Sequence, residues 1–449
     1  MSILTTLFQD FAARLCSTEF LNDARHSDHP TAFSRCRKLP LPTLVAIMLT
    51  GMRMSIQAEM DTFFAHLRHQ AQLVHEVSEQ AFSQARAKLS LTAIPRLNDW
   101  LIARAERDQF VPRWRALRLV ADAWTLRFGL RARHVQRTAL ADQILFGLFL
   151  PGPDLMLAAS LHSIHERGER QFLFEHLDRL SPDDLLLLDR GYPCRWLVAV
   201  LNQRAIKFCM RVDNCSGFAC VRDFMRSSAN ERIVILRAPD KQDAIDYECP
   251  RKPQRVLLVR NVSPTGEQRV LMTNLFDDKL YPADCFGKLY HRHWGIEEAF
   301  KRLKHRLNLE HVTGLTQQAV AQDVAAKIVC DNLQALVALT AHVDAELPAN
   351  KRINHAYAHT ALKPLMPILL LGRVIGRKIG ALLRGVLGLV AGRTYRHRGN
   401  LSKPRKQGPK PHKAMTQKNC CNGLTWVDWG YPGDEPASHT LSVMSSGTS

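Results

Sequence analysis

Three carboxylates stand out by their settings. Asp122 lies inside "RLVADAWTL", Asp189 closes the apolar run "LLLLDRGY", and Glu297 belongs to "YHRHWGIEEAFKRLKHRL", Tyr290 to Leu307. An acid at the end of a buried apolar strand is costly unless it is paired or bound to a cation. Two such acids side by side also repel, so Asp122 and Asp189 call for a cation. Hard oxygen ligands with no Cys or His nearby in sequence select Mg²⁺ or Mn²⁺ over Zn²⁺. Helical spacing from Tyr290 puts positions 293/294, 297, 300/301 and 304 on one face. Glu297, Lys301 and Lys304 then share a face with Tyr290, and Glu298 points about 100° away. Alone, Glu297 reads as an ordinary partner of Lys301, worth ~0.3–0.5 kcal/mol. Beside Asp122 and Asp189 it becomes the third member of a metal site. Three carboxylates suffice for two divalent ions, which would activate a water or 3′-hydroxyl and stabilise the leaving oxygen of an in-line displacement. The lysines would stabilise charge on the phosphate, with no covalent enzyme nucleophile.

The elements that must hold these residues follow from pattern. Residues 1 to about 110 have apolar residues at helical spacing, broken near Gly51. "VSEQAFSQARAKLS" offers Ser78 as an N-cap before a short helix carrying Arg86 and Lys88. Two short helices with a basic face suit DNA binding, although a plain helical bundle has the same pattern. From Ala116, "ALRLVADAWTLRFG" and "DQILFGLFLPGPDLMLAASLHS" read as strands with turns at Gly129 and Pro151-Gly152. "RGERQFLFEHLDRLSP" reads as a helix, "DDLLLLDRGY" as a buried strand, "PCRWLVAVLNQRA" as a helix and "KFCMRV" as a strand. That alternation predicts an α/β sheet covered on both faces. Residues 213–285 hold β-type runs between polar turns and read as an antiparallel insertion. Helices resume at Pro282.

Composition narrows the partners. The 449 residues carry a net charge of +19, which favours a polyanion. The most apolar stretch, 364–392, is broken by Arg373, Arg377, Lys378 and Arg384, so no membrane partner is expected. The first residues, "MSILTTLFQDFAARLC", do not read as a secretory signal. Eleven cysteines without a CxxC pair suggest no disulfide framework and a reducing cytoplasm. Residues 393–418 carry nine Lys/Arg and no acid, which reads as a disordered basic arm with salt-sensitive attraction to DNA. Three further features have bland and functional readings. Trp294 can stack a base, but core packing beside Ile296 and Phe300 is favoured. His162, His165 and Glu166 read as a surface helix before a metal set. Arg190 orients Asp189 or meets DNA, and a structural salt bridge is an equal reading.

"LVADAWTLRFG", "LLLLDRGY", "VLMTNL" and "YHRHWGIEEAFKRLK" occur in an order that resembles bacterial DDE transposases of the insertion-sequence-four type. The resemblance covers about 116 to 310, and "VSEQAFSQARAKLS" looks like the region before the core in that group. It implies a ribonuclease-H-like catalytic core interrupted by a β-rich insertion. The implied arrangement is a helical, DNA-binding 1–110, core at 111–212, β insertion at 213–285 and core again at 286–345. A helical 346–392 and a basic tail at 393–449 follow. The resemblance makes Asp122, Asp189 and Glu297 the catalytic, metal-holding triad for Mg²⁺-dependent DNA cleavage and joining. It makes Tyr290, Lys301 and Lys304 phosphate contacts, with Arg292, His293 and Arg190 near the DNA. The signature arginine three residues after the tyrosine is His293 here, and a neutral His cannot copy a bidentate Arg–phosphate fork. Ala123 and Trp124 also depart from the usual pattern. The implied partners are DNA (terminal inverted repeats and target) and a second copy in a dimeric synaptic complex. The implied location is the cytoplasm, on bacterial chromosomal or plasmid DNA. A ribonuclease-H-like nuclease without joining, or an inactive transposase-derived DNA-binding protein, are the alternatives.

Overall fold

The computed structural model describes residues 2–396 except 36–37, 129–142, 164–167, 213–216, 263–267, 310, 315 and 374–376, with backbone alone at 122–128 and 163. Of the basic tail expected at 393–449, residues 397–449 lie outside the described ones, as do His165 and Glu166, while Thr394–Arg396 form a strand instead.

The first 110 residues form α1 (Ile3–Leu15), α2 (Thr18–Ala24), α3 (Leu41–Leu49), α4 (Ile56–Leu67), α5 (Glu79–Arg86) and α6 (Ala93–Arg107). Ser78 caps α5 by accepting the Ala81 N–H at 3.3 Å, as its sequence suggests. Then come β1 (Arg113–Trp114), β2 (Leu117–Phe128), β3 (Gln143–Leu150), β4 (Leu155–Ser163), α7 (Glu169–Glu175), β5 (Asp184–Leu188), α8 (Arg195–Gln203) and β6 (Lys207–Val212). The segment read as a β insertion holds two helices as well as strands. It comprises α9 (Ala219–Arg226), β7 (Glu231–Leu236), α10 (Lys241–Asp246), β8 (Gln254–Val262) and β9 (Gln268–Thr273). The rest is α11 (Cys285–His291), α12 (Gly295–His305), α13 (Gln317–Asp344), β10 (Lys351–Ile353), α14 (His355–Leu362), α15 (Met366–Leu370), α16 (Arg377–Ala391) and β11 (Thr394–Arg396).

One sheet organises the molecule, with strand order β4-β3-β2-β5-β6-β9-β8-β7 and β1 paired to β2. Strand β5 runs parallel to both β2 and β6, while β3, β4, β9, β8 and β7 pair antiparallel to their neighbours. The insertion strands therefore extend the core sheet from β6. The run "DLLLL" shows why β5 is central. Leu185 and Leu187 enter the core under α11, α12 and α13, while Leu186 and Leu188 enter the core on the opposite face. A strand buried on both faces reads as a continuous apolar run.

Helix α13 is the spine. It is long and apolar enough to cross a membrane by length and composition, but 83 % of that window is buried inside the fold. Its buried polar residues are all met. Asp323 takes Arg86 of α5 at 2.9 Å, Lys327 donates to the Asn308 carbonyl at 2.7 Å, and Asn332 accepts the Met156 N–H at 2.7 Å. Arg86, expected on a basic face, is thus buried, and also reaches Gln322 and the Ala319 carbonyl. A sequence cannot show that its partners lie more than two hundred residues away.

Candidate active site

The sheet brings two of the three carboxylates to one edge. Ala121 of β2 pairs with Leu187 of β5 in parallel register. Asp122 and Asp189 therefore lie one and two residues further along neighbouring strands, which are about 4.8 Å apart. The side chain of Asp122 lies outside the described residues. Asp189 is half-buried, and its Oδ1 accepts the Arg190 N–H at 2.6 Å. The turn is closed by the Tyr192 N–H on the Asp189 carbonyl at 3.2 Å.

Glu297 lies half-buried in the first turn of α12. Ile296, Ala299, Phe300 and Leu303 press this helix onto Leu119 and Ala121 of β2 and Phe149 of β3. Gly295 sets how close it comes. A Cβ there would meet the Phe149 ring at 3.2 Å, and Phe149 is the partner of Ala121, one residue before Asp122. The helix start thus sits over the strand row that leads into Asp122. Its other face is fixed by Arg302, which is 6 % exposed. Its guanidinium donates to Asp331 of α13 at 3.3–3.4 Å and to the Asp154 carbonyl, in the β3–β4 turn, at 3.2 Å. Residue type alone hides this clamp, because Arg302 is one of five basic residues in the six from Lys301 to Arg306, His305 included. Its place five residues after Glu297, on the apolar side of the helix, is the signal that distinguishes it.

Beside Asp189 stand Tyr290 and His293, both buried, with rings parallel at 4° and centroids 5.6 Å apart. Burial, then the Asp189 charge, pushes the Tyr290 hydroxyl well above the usual phenol range, with Arg211 and Arg269 opposing. Burial holds the His293 imidazole below its usual value, against the pull of Asp189. His293 is therefore neutral at pH 7, and its Nε2 is buried without a hydrogen-bond partner.

Several sequence expectations change here. The segment from Tyr290 is not one helix, because a 3₁₀ turn, Arg292–Trp294, separates α11 from α12. The turn resets the helical phase, so Trp294, expected in the core, is 38 % exposed. Lys301 is also exposed and bonds Glu298 at 2.5 Å, not Glu297. Glu298, expected to point about 100° away from the face of Tyr290 and Glu297, is that partner. Arg292 and Arg190 are exposed and Lys304 is half-buried. His162 lies on strand β4, not on a surface helix, with its ring stacked on Phe172 at 3.8 Å and Ser160 Oγ at 2.5 Å.

A hard divalent cation fits the donors present. Asp189 offers an oxygen that no described group occupies, and Glu297 is half-exposed at the start of a rigid helix. No set of three His, Cys, Asp or Glu residues able to hold an ion assembles among the described residues, and the Asp122 side chain is not one of them.

Residues 156–333 match the transposase DDE domain. This DDE-domain stretch runs from β4 into α13 and contains Asp189, Tyr290, His293, Glu297 and both Arg302 and Asp331. Asp122 precedes it. The match covers less than half of the chain and supports a transposase. A cryo-EM structure of a piggyBac transposase synaptic complex with hairpin DNA is similar at TM-score 0.40 and 9 % identity, over 90 % of this chain and 88 % of that one. No curated protein matches the chain.

Proposed function

We propose that the chain is a DDE transposase of the insertion-sequence-four type, which cuts DNA at the ends of its element and joins them to target DNA. The supporting observation is Asp189, a carboxylate with one backbone donor. It ends a parallel strand beside the one that carries Asp122, within a stretch that matches the transposase DDE domain. The strand order β4-β3-β2-β5-β6, with β5 and β6 parallel to β2, supports reading the sheet as a ribonuclease-H-like core with an insertion after β6.

Asp122, Asp189 and Glu297 would hold two Mg²⁺ or Mn²⁺ ions. When bound, these supply activation of the attacking oxygen and stabilisation of the leaving one. The chain's own residues do the rest. Gly295 and the Arg302 clamp fix Glu297 relative to β2. Lys304, with Lys301 and the exposed Arg190 and Arg292, attracts and orients the phosphates. Tyr290 stays protonated beside Asp189 and so acts as a hydrogen-bond donor. His293 stays neutral and offers a directional contact, not the fork of an arginine. The partners in this reading are terminal inverted repeats, target DNA and a second copy of the chain, in a bacterial cytoplasm.

Divalent-ion-dependent cleavage of DNA carrying the element's terminal repeats is the test. Cleaved and joined products, abolished in Asp189→Ala, are expected. Cleavage without joining would mean a nuclease. Binding without cleavage, unchanged in Asp189→Ala, would mean a DNA-binding protein only, a reading that the neutral His293 favours.

A further inference from the structure

The small sheet β10–β11 is built largely from cations. Lys351 pairs with Arg396, Arg352 with Tyr395 and Ile353 with Thr394. Lys351, Arg352, Tyr395 and Arg396 are exposed, as is Arg393 just before β11. Like charges directly opposite in a ribbon destabilise it, and neither strand contains an acid. Among the described residues, Lys351, Arg352, Arg393 and Arg396 form no ion pair. Such an arrangement is relieved when a polyanion lies across it.

Tyr395 of the ribbon lies close enough to the end of the helix that carries Glu297 for its charge to act on Arg306. Arg306, the C-cap of α12, is influenced by Tyr395, and its Nη1 is buried with no hydrogen-bond partner. Burial, then the neighbouring charges of Arg302, Arg306 and Arg352, pushes the His355 imidazole down to about 3. The acids on this side are already engaged. Asp154 and Asp331 close on Arg302, and Glu298 closes on Lys301. Positive charge is left in excess there.

We propose that Lys351, Arg352 and Arg396 of the ribbon, which are all exposed, form a binding surface for the phosphodiester backbone of DNA. The surface sits at the far end of the same rigid helix as Glu297. It rests on the transposase reading and adds to it the surface that grips DNA away from the reacting phosphate. The contacts are to phosphate, so they set position without reading sequence.

Binding of a short duplex by the full chain, measured by fluorescence anisotropy across a salt series without divalent ion, tests this. Each phosphate neutralised contributes about 0.9 to the slope of log affinity against log salt. The triple variant Lys351→Gln/Arg352→Gln/Arg396→Gln is expected to lower that slope by about 2–3. Arg352→Lys/Arg396→Lys keeps the charge and should keep the slope. Arg222→Gln/Arg232→Gln/Arg237→Gln, at the insertion, removes equal charge elsewhere and should change it less. An unchanged slope in the ribbon triple variant, or an equal fall in the insertion triple variant, overturns the ribbon while leaving the transposase reading intact. No DNA binding by the unaltered chain overturns both.

Discussion

Strand β5 begins on one aspartate and is followed at once by another, Asp189, and the two could hardly be more different. Asp184 is fully buried, and Arg118 closes on it with Nε at 2.5 Å and Nη2 at 2.7 Å. The Ser181 N–H adds a third bond at 2.8 Å. Burial opposes charge on Arg118, yet Asp184 and then Glu106 hold its pKa above the ordinary value. Asp189, five residues on, receives one backbone N–H and keeps the rest of its capacity. Both acids border the same strands, so strand chemistry does not explain the contrast. A satisfied carboxylate holds structure, and an under-satisfied one at the end of a parallel strand awaits a ligand.

Substitutions can break that contrast from either end. Asp189→Asn should lower cleavage by roughly 10³-fold or more, as loss of a key electrostatic group does. Its thermal midpoint should barely move, and joint measurement of turnover and unfolding checks both halves. Asp184→Ala should do the reverse. It leaves a buried Arg118 with Glu106 as its one acid, so chemical denaturation should show a loss of about 3 kcal/mol, while turnover per folded molecule stays near the unaltered value.

Arg302 sharpens the comparison, because it is saturated like Arg118 but serves the open end. Arg302→Leu should raise the divalent-ion concentration needed for half-maximal cleavage by about 10–100-fold, as loss of a supporting contact to a metal site does. Arg302→Lys should recover part of that. A fall in maximal rate with no change in ion requirement would make Arg302 a packing residue only. The smallest effect belongs to Lys301. Its pairing with Glu298 is exposed, so Lys301→Gln should cost no more than about 0.5 kcal/mol in unfolding experiments. Any larger loss of cleavage would come from its approach to DNA.

The sequence carried much of the framework. "LLLLDRGY" is a buried strand ending at an acid because four leucines must face two cores, and that is visible without coordinates. The Ser78 cap and the helix–strand alternation after 168 are local patterns of the same kind. What stayed hidden depends on distant partners. Arg86 and Arg302 look like members of basic runs until Asp323 and Asp331 of α13 are brought to them. The exposure of Trp294 follows from one 3₁₀ turn, which a continuous 3.6-residue period does not foresee. His162 closes a run that reads as strand and opens one that reads as surface helix, and β4 pairs through it with β3.

The central claim is that Asp122, Asp189 and Glu297 surround one divalent-ion site. Fe²⁺ substituted for Mg²⁺, with ascorbate and peroxide, cuts a polypeptide backbone beside the bound ion. Three clusters of cuts are expected, near residues 122, 189 and 297, all suppressed by excess Mg²⁺ and all weakened together in Asp189→Asn. Cuts elsewhere, or cuts near these residues that persist unchanged in Asp189→Asn, would contradict it.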